Sequence, residues 1–271
     1  MLRSLSASVA RGDDRHMRAC EMGCEATMTR AKGGDGMTSL AELIEKTLAK
    51  RRSENEPLRI VQAGHPALRA HSKDAAGALD PELLGEFIQA LVVTMHEAPG
   101  VGVAAPQVGV PIRLVVMEDF VREEGEERDA GDALYERDNL PLMAVIDPRY
   151  EEVEGEDTVT FGWEGCLSVD GWRSLVPRPK SVRVFGTAIL DGGEVRELDE
   201  VWTGWSARIF QHESDHLDGI LCHDRGVERS LVQDSYLHRY TDLSAAVRYL
   251  GLRGDVANLE PGAVDLHRTR A

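Results

Sequence analysis

The stretch QHESDHLDG, residues 211–219, constrains this chain more than any other, because His212, Glu213 and His216 form an H-E-x-x-H. On a helix, side chains four positions apart share a face, so both imidazoles can grip one metal ion. Glu213 then points at whatever fills the remaining coordination positions. Catalytic metals of this kind usually take three protein ligands and keep one position open. The fold must therefore carry a third ligand from elsewhere in the sequence to one face of this helix.

The pattern around that helix defines the other elements. WSARIFQHESDHLDGILC (205–222) reads as a single long helix with Ile209, His212 and His216 along one side. TSLAELIEKTLAKRR reads as a shorter one, with Leu40, Leu43, Ile44 and Leu48 on one face. In LDPELLGEFIQALVVTMHEAPG, Asp80 can cap, Pro81 suits the first turn, and Leu84, Ile88, Leu91 and Met95 repeat at helical spacing. VGVAAPQVGVPIRLVVME reads as a glycine-rich turn and then a strand. LPLMAVIDPRY, TVTFGWEGCLSV, SVRVFGTAIL and EVRELDEVWTGW read as strands or strand–turn pieces, and HRYTDLSAAVRYL as a weaker helix. Strands grouped between helices predict an α+β fold, with small antiparallel or mixed sheets packed around the central helix that carries HExxH.

The 271 residues allow one generous domain, and no run approaches 18 apolar residues. A catalytic domain is expected over 38–228, followed by a C-terminal helix and tail over 229–271. The acidic stretch 118–139 is expected to be a solvated insertion, because so many like charges resist packing. Residues 1–37 are read as a disordered or mis-assigned extension, with a targeting segment as the alternative. The net charge of −16 argues against a general nucleic-acid binder. Cys20, Cys24, Cys166 and Cys222 are too few for a disulfide scaffold, which favours a reducing, cytoplasmic setting over an organellar one.

Three positions compete to be the third ligand. A carboxylate about twenty residues beyond the helix, as in many zinc proteases, is missing: Glu228 comes too early and Glu260 too late. Cys222 falls where an extended H-E-x-x-H-x-x-G-x-x-H pattern has its last ligand, with Gly219 in place, but no methionine follows Met143 to supply that pattern's methionine turn. Cys166 is the third. Gly165 before it allows close approach, and Glu164, two residues back and on the same side of an extended segment, could buttress the site.

GVGVAAPQ (100–107), EGCLS (164–168) and QHESDH (211–216) together resemble the three signature motifs of the peptide deformylases, in order and in separation. The resemblance covers roughly Leu58 to Asp224. It implies a site in which Cys166, His212 and His216 hold one divalent metal, iron(II) natively, with zinc, nickel or cobalt also suited to these ligands. It implies Glu213 as the group that moves protons, with the Gln107 side chain and the Leu167 backbone N–H stabilising the oxyanion. The expected substrate-binding residues are Val101, Gly102, Glu164, Arg173, Trp205 and Ile209, with the stem of Arg208 beside them. The implied reaction removes the formyl group from N-formylmethionyl nascent peptides, near the ribosome and with no specific nucleic-acid or membrane partner. Asp170 departs from the pattern, since many relatives have proline there. Two other readings stand beside this one: a zinc peptidase with Cys222 as third ligand, and a non-catalytic peptide-binding relative, for which Glu213 would have no use.

Overall fold

The run LVVMED, residues 114–119, turns its side chains alternately to two faces, and both faces are covered. Leu114 and Val116 enter one hydrophobic core, Val115 and Met117 a second. That is the period of a strand packed on both sides. The computed structural model describes residues 39–252, apart from 99, 124 and 157, together with 265–267. Contacts divide the chain into Met1–Met37 and Thr38–Ala271. The first unit, for which an extension was expected, lies outside the described residues.

In chain order the elements are α1 (Leu40–Leu48), α2 (Pro81–Glu97), β1 (Gly102–Ala104), β2 (Leu114–Asp119), α3 (Ala130–Tyr135) and β3 (Leu140–Glu152). They continue with β4 (Thr158–Cys166), β5 (Val169–Pro179), β6 (Ser181–Leu190), β7 (Val195–Thr203), α4 (Gly204–Leu217) and α5 (Cys222–Arg225). The last are β8 (Val232–Gln233), α6 (Asp234–Leu237), α7 (Leu243–Leu250) and β9 (Asp265–His267). The named strands pair antiparallel in two sheets, ordered β1-β2-β3-β6-β7 and β8-β5-β4-β9.

Helices cover both faces of the larger sheet. Ile44 of α1 and Phe87, Leu91 and Met95 of α2 close one core over Val103, Leu114 and Val116. Ala207, Ile209, Phe210 and Leu217 of α4 close the other over Val115, Met117, Val145 and Leu198. Each large side chain buried this way contributes about 1.5–3 kcal/mol, so these contacts fix where α4 lies. The other side of α4 reaches the smaller sheet, where Arg208 and His212 bond to Thr160 and Glu164 of β4. The HExxH helix thus touches both sheets, as the α+β expectation required.

Several elements differ from the sequence reading. The helix expected over 205–222 stops at Leu217, because Gly219 adopts a left-handed conformation at φ +75°, and Cys222 begins a separate turn of helix. Strand β5 escaped notice because Pro177 and Pro179 lack the N–H that a strand reading wants. The core line of α2 runs through Leu83 and Phe87, leaving Leu84 only partly buried. The acidic stretch is not a plain solvated loop. It contains α3, and its acids meet the arginines interspersed among them: Arg122 and Arg128 pair with Asp138, and Arg137 with Asp119 at 2.8 Å. The segment beyond 229 docks on the smaller sheet as well, with β8 pairing β5 and with Leu243 and Leu252 packing on Phe161 and Leu175.

Candidate metal and active site

Strand β4 ends in Glu164-Gly165-Cys166, and a period of two places Glu164 and Cys166 on the same face, both buried. Facing them, α4 presents His212 and His216 one turn apart. The ligand atoms of Cys166, His212 and His216 all lie within 4.8 Å of one another. Cys166 Sγ is 3.3 Å from His216 Nε2, and His212 Nδ1 is 3.0 Å from Glu164 Oε2.

Electrostatics favour a cation among these three groups. Burial alone would raise the Cys166 thiol, but the facing His216 and His212 outweigh it and hold the thiol well below its ordinary range. Burial would likewise lower His212, yet its bonds to Cys166 and Glu164 push it well above the usual histidine value. One sulfur and two nitrogens converging within 4.8 Å form a donor set of the kind that holds a divalent metal. Glu213 Oε2 adds to the fit, being buried beside the trio with no hydrogen-bond partner of its own.

Burial raises the Glu213 carboxyl above its ordinary value. Its position depends on Gly102: a Cβ there would stand 2.5 Å from Glu213 Oε1. The sequence reading gave Gly102 to the peptide, and the structure shows that the carboxylate also needs the space. Gln107 is fixed at its oxygen, since Oε1 accepts the Ala104 N–H at 2.8 Å, which turns Nε2 toward Cys166 Sγ at 3.5 Å. A short segment missed in the sequence ties these parts together. Val61 N–H donates to Gln107 O, Gln62 Nε2 to Leu167 O, and Ala63 N–H to Ser168 O. An isolated Gln62 in an apolar run carries no signal that would reveal this.

Glu164 borders the cavity, but its carboxylate is buried and committed to protein partners. Arg178 Nε and Nη2 donate to its two oxygens at 2.6 and 2.9 Å, Arg208 Nη1 approaches at 2.5 Å, and His212 fills the remainder. Burial would raise its carboxyl, but Arg178, His212 and Arg208 hold it well below the usual carboxylate range. The network continues through Arg178 Nη1 to Asp215 at 2.9 Å and from there to Arg225. Nothing in the sequence marks Arg178 or Asp215, because a lone arginine between prolines reads as exposed.

Cys222 also lies close to His212, in a group with Glu164. Burial pushes its thiol up to about 12, however, and the Glu164 oxygens are already taken by cations. A protonated thiol beside a saturated carboxylate is a poor ligand. The arrangement thus disfavours Cys222 as the third ligand.

A cavity of about 260 Å³ opens above the trio. Val101, Gly102, Gln107 and Leu167 form one wall, and Trp205, Ile209, His212 and Glu213 from α4 form another. Glu164, Cys166 and Arg173 of the β4–β5 hairpin line the third, while His216 lies deeper with no exposed surface. Tyr135 of α3 packs edge-on against Trp205 at 5.6 Å, so the acidic stretch supports this wall. Beside the cavity, β1 ends its sheet, and its outer edge pairs with no strand among the described residues.

Fold and site together define a metal-dependent hydrolase built on an HExxH helix. The family model for polypeptide deformylase matches residues 57–231, and the chain belongs to that family. It is 47% identical over 195 residues to peptide deformylase 3 of Streptomyces avermitilis, covering 71% of this chain and 80% of that one. Peptide deformylase 1 of Streptomyces coelicolor is 44% identical over 196 residues, at 72% and 84% coverage. Among solved structures, the Met-Ala-Ser-bound class I type b peptide deformylase of Acinetobacter baumannii superposes with a TM-score of 0.50 at 30% identity. That match covers 63% of this chain and 99% of the other.

Proposed function

We infer that this chain is a metal-dependent amide hydrolase that removes the N-terminal formyl group from newly made polypeptides and releases formate. The observation that carries the site assignment is the meeting of Cys166 with His212 and His216 beside a buried, unpartnered Glu213 oxygen. In this reading Cys166, His212 and His216 hold one divalent ion, and Glu164 orients His212 through Nδ1. When bound, such a metal acidifies water at neutral pH and polarises the formyl carbonyl.

The chain's own groups do the rest. Glu213, with its carboxyl raised by burial, accepts a proton from the attacking water and passes it to the leaving amine. The Gln107 amide, held by Ala104, and the Leu167 N–H donate to the oxygen on which negative charge develops. Trp205, Ile209 and the Arg208 stem take up the methionine side chain. The peptide backbone lies beside Val101 and Gly102 as an added strand on the free edge of β1.

Iron(II) is the native ion in this reading, and zinc, nickel or cobalt can replace it. Air exposure should then lower activity, and nickel or cobalt should restore it; full activity after prolonged aeration with zinc bound throughout would remove iron from the proposal. In this reading the enzyme works beside the ribosome in the cytoplasm, with an organellar setting as the alternative. No helix among the described residues is long and apolar enough to cross a membrane.

The deciding experiment is formate release from formyl-Met-Ala-Ser. Glu213→Ala should keep its metal and lose about 10²–10⁴-fold in kcat. A variant as active as the parent would overturn the assignment of Glu213, and no formate from the parent chain would overturn the reaction.

A further inference from the structure

The turn after Cys166 is not a simple hairpin. Gly165 pairs with Arg173, but Cys166 pairs with Val169, so the register shifts between them. Asp170, Gly171 and Trp172 have no partner on β4 and bulge toward the cavity mouth, which all three line. Asp170 is exposed, and its carboxylate has no ion-pair partner among the described residues. Trp172 is 43% exposed.

Arg173 would be the natural counter-charge, yet it is held away. Its backbone pairs with Val232 of β8, and its guanidinium lies 2.9 Å from where a Gly165 side chain would begin. Asp234 completes the restraint, accepting from Arg173 Nε at 2.9 Å. Asp234 lies beyond residue 231, where the family match ends. The mouth therefore presents two carboxylates against one guanidinium, with a flat indole among them.

We propose that Asp234 is a specificity-determining residue: by holding Arg173 against Gly165 it gives the mouth a negative bias that favours cationic over acidic side chains in the residues after formyl-methionine. The proposal rests on the deformylase reading. A lysine or arginine entering there meets Asp170 and the face of Trp172, an arrangement suited to a cation. A glutamate meets Asp170 and finds Arg173 already neutralised. One unpaired charge a few ångströms away in a partly wet mouth changes affinity by about three- to tenfold.

The test compares kcat/KM of the metal-loaded enzyme for formyl-Met-Ala-Lys and formyl-Met-Ala-Glu. The parent should favour lysine by about three- to tenfold, through KM rather than kcat, and high salt should flatten the difference. Asp234→Asn frees Arg173 and should shrink the ratio at least threefold, while Asp234→Glu should keep it. An unchanged ratio in Asp234→Asn overturns the proposal. If that variant fails to fold, Asp170→Asn serves instead: a diminished lysine preference supports the charge bias, and an unchanged one overturns it. Calorimetric binding of Met-Ala-Lys and Met-Ala-Glu reads the same preference without turnover. Discrimination there, without formate release from any peptide, would remove deformylation and leave the charge assignment intact.

Discussion

Cys166 and Cys222 are both buried, and both lie beside the ring of His212. Cys166 faces two imidazoles that hold its thiol well below its ordinary range, whereas burial pushes the Cys222 thiol, beside the already saturated Glu164, up to about 12. Burial is nearly the same, so burial is not what makes a ligand. The neighbours are: histidine nitrogens favour the charged sulfur, and a carboxylate committed to two arginines offers nothing to a cation. One imidazole serves both neighbourhoods, toward the sulfur on one side and the ion-paired interior on the other.

The strongest way to break this comparison is to exchange the sulfurs' fates. Cys166→Ala should empty the site and reduce formate release by at least about 10⁴-fold, since metal and proton transfer are lost together. Cys222→Ala should keep metal and activity, and elemental analysis beside the formate assay separates the two. Loss of metal from Cys222→Ala instead would reverse the assignment. Gly102→Ala should retain the ion yet lose about 10²-fold in kcat, because its methyl displaces Glu213.

Glu164→Gln sharpens the comparison from the interior side. It should weaken metal affinity about 10–100-fold and cost about 3–5 kcal/mol of stability, read from denaturant midpoints, because Arg208 loses its counter-charge and Arg178 keeps only Asp215. The folded-state value of Glu164 is depressed, so its contribution is complete above the unfolded value of about 4.3 and disappears as pH falls toward the folded one. The parent should therefore lose stability below about pH 4.3, and the glutamine variant should lose less.

Local patterning exposed the candidate catalytic parts and hid what holds them. The HExxH spacing, the small residues before Gln107 and the run around Cys166 each carry chemistry in a few adjacent positions, so they could be read directly. Arg178, Asp215 and Gln62 act over long sequence separations, and nothing near them in the chain shows what they will face. The end of α4 at Leu217 was missed because the apolar run continues through Leu221 while a single glycine turns the backbone. The acidic stretch was read by its net charge, although three arginines inside it decide its packing.

The three-residue strand at the margin of the larger sheet has a broader implication. In the proposed docking, its backbone edge grips what every polypeptide has in common, whatever gene encodes it. In the proposed mode such a catalyst services a whole proteome while judging each client by its first residue and, at the outer rim, by its charge.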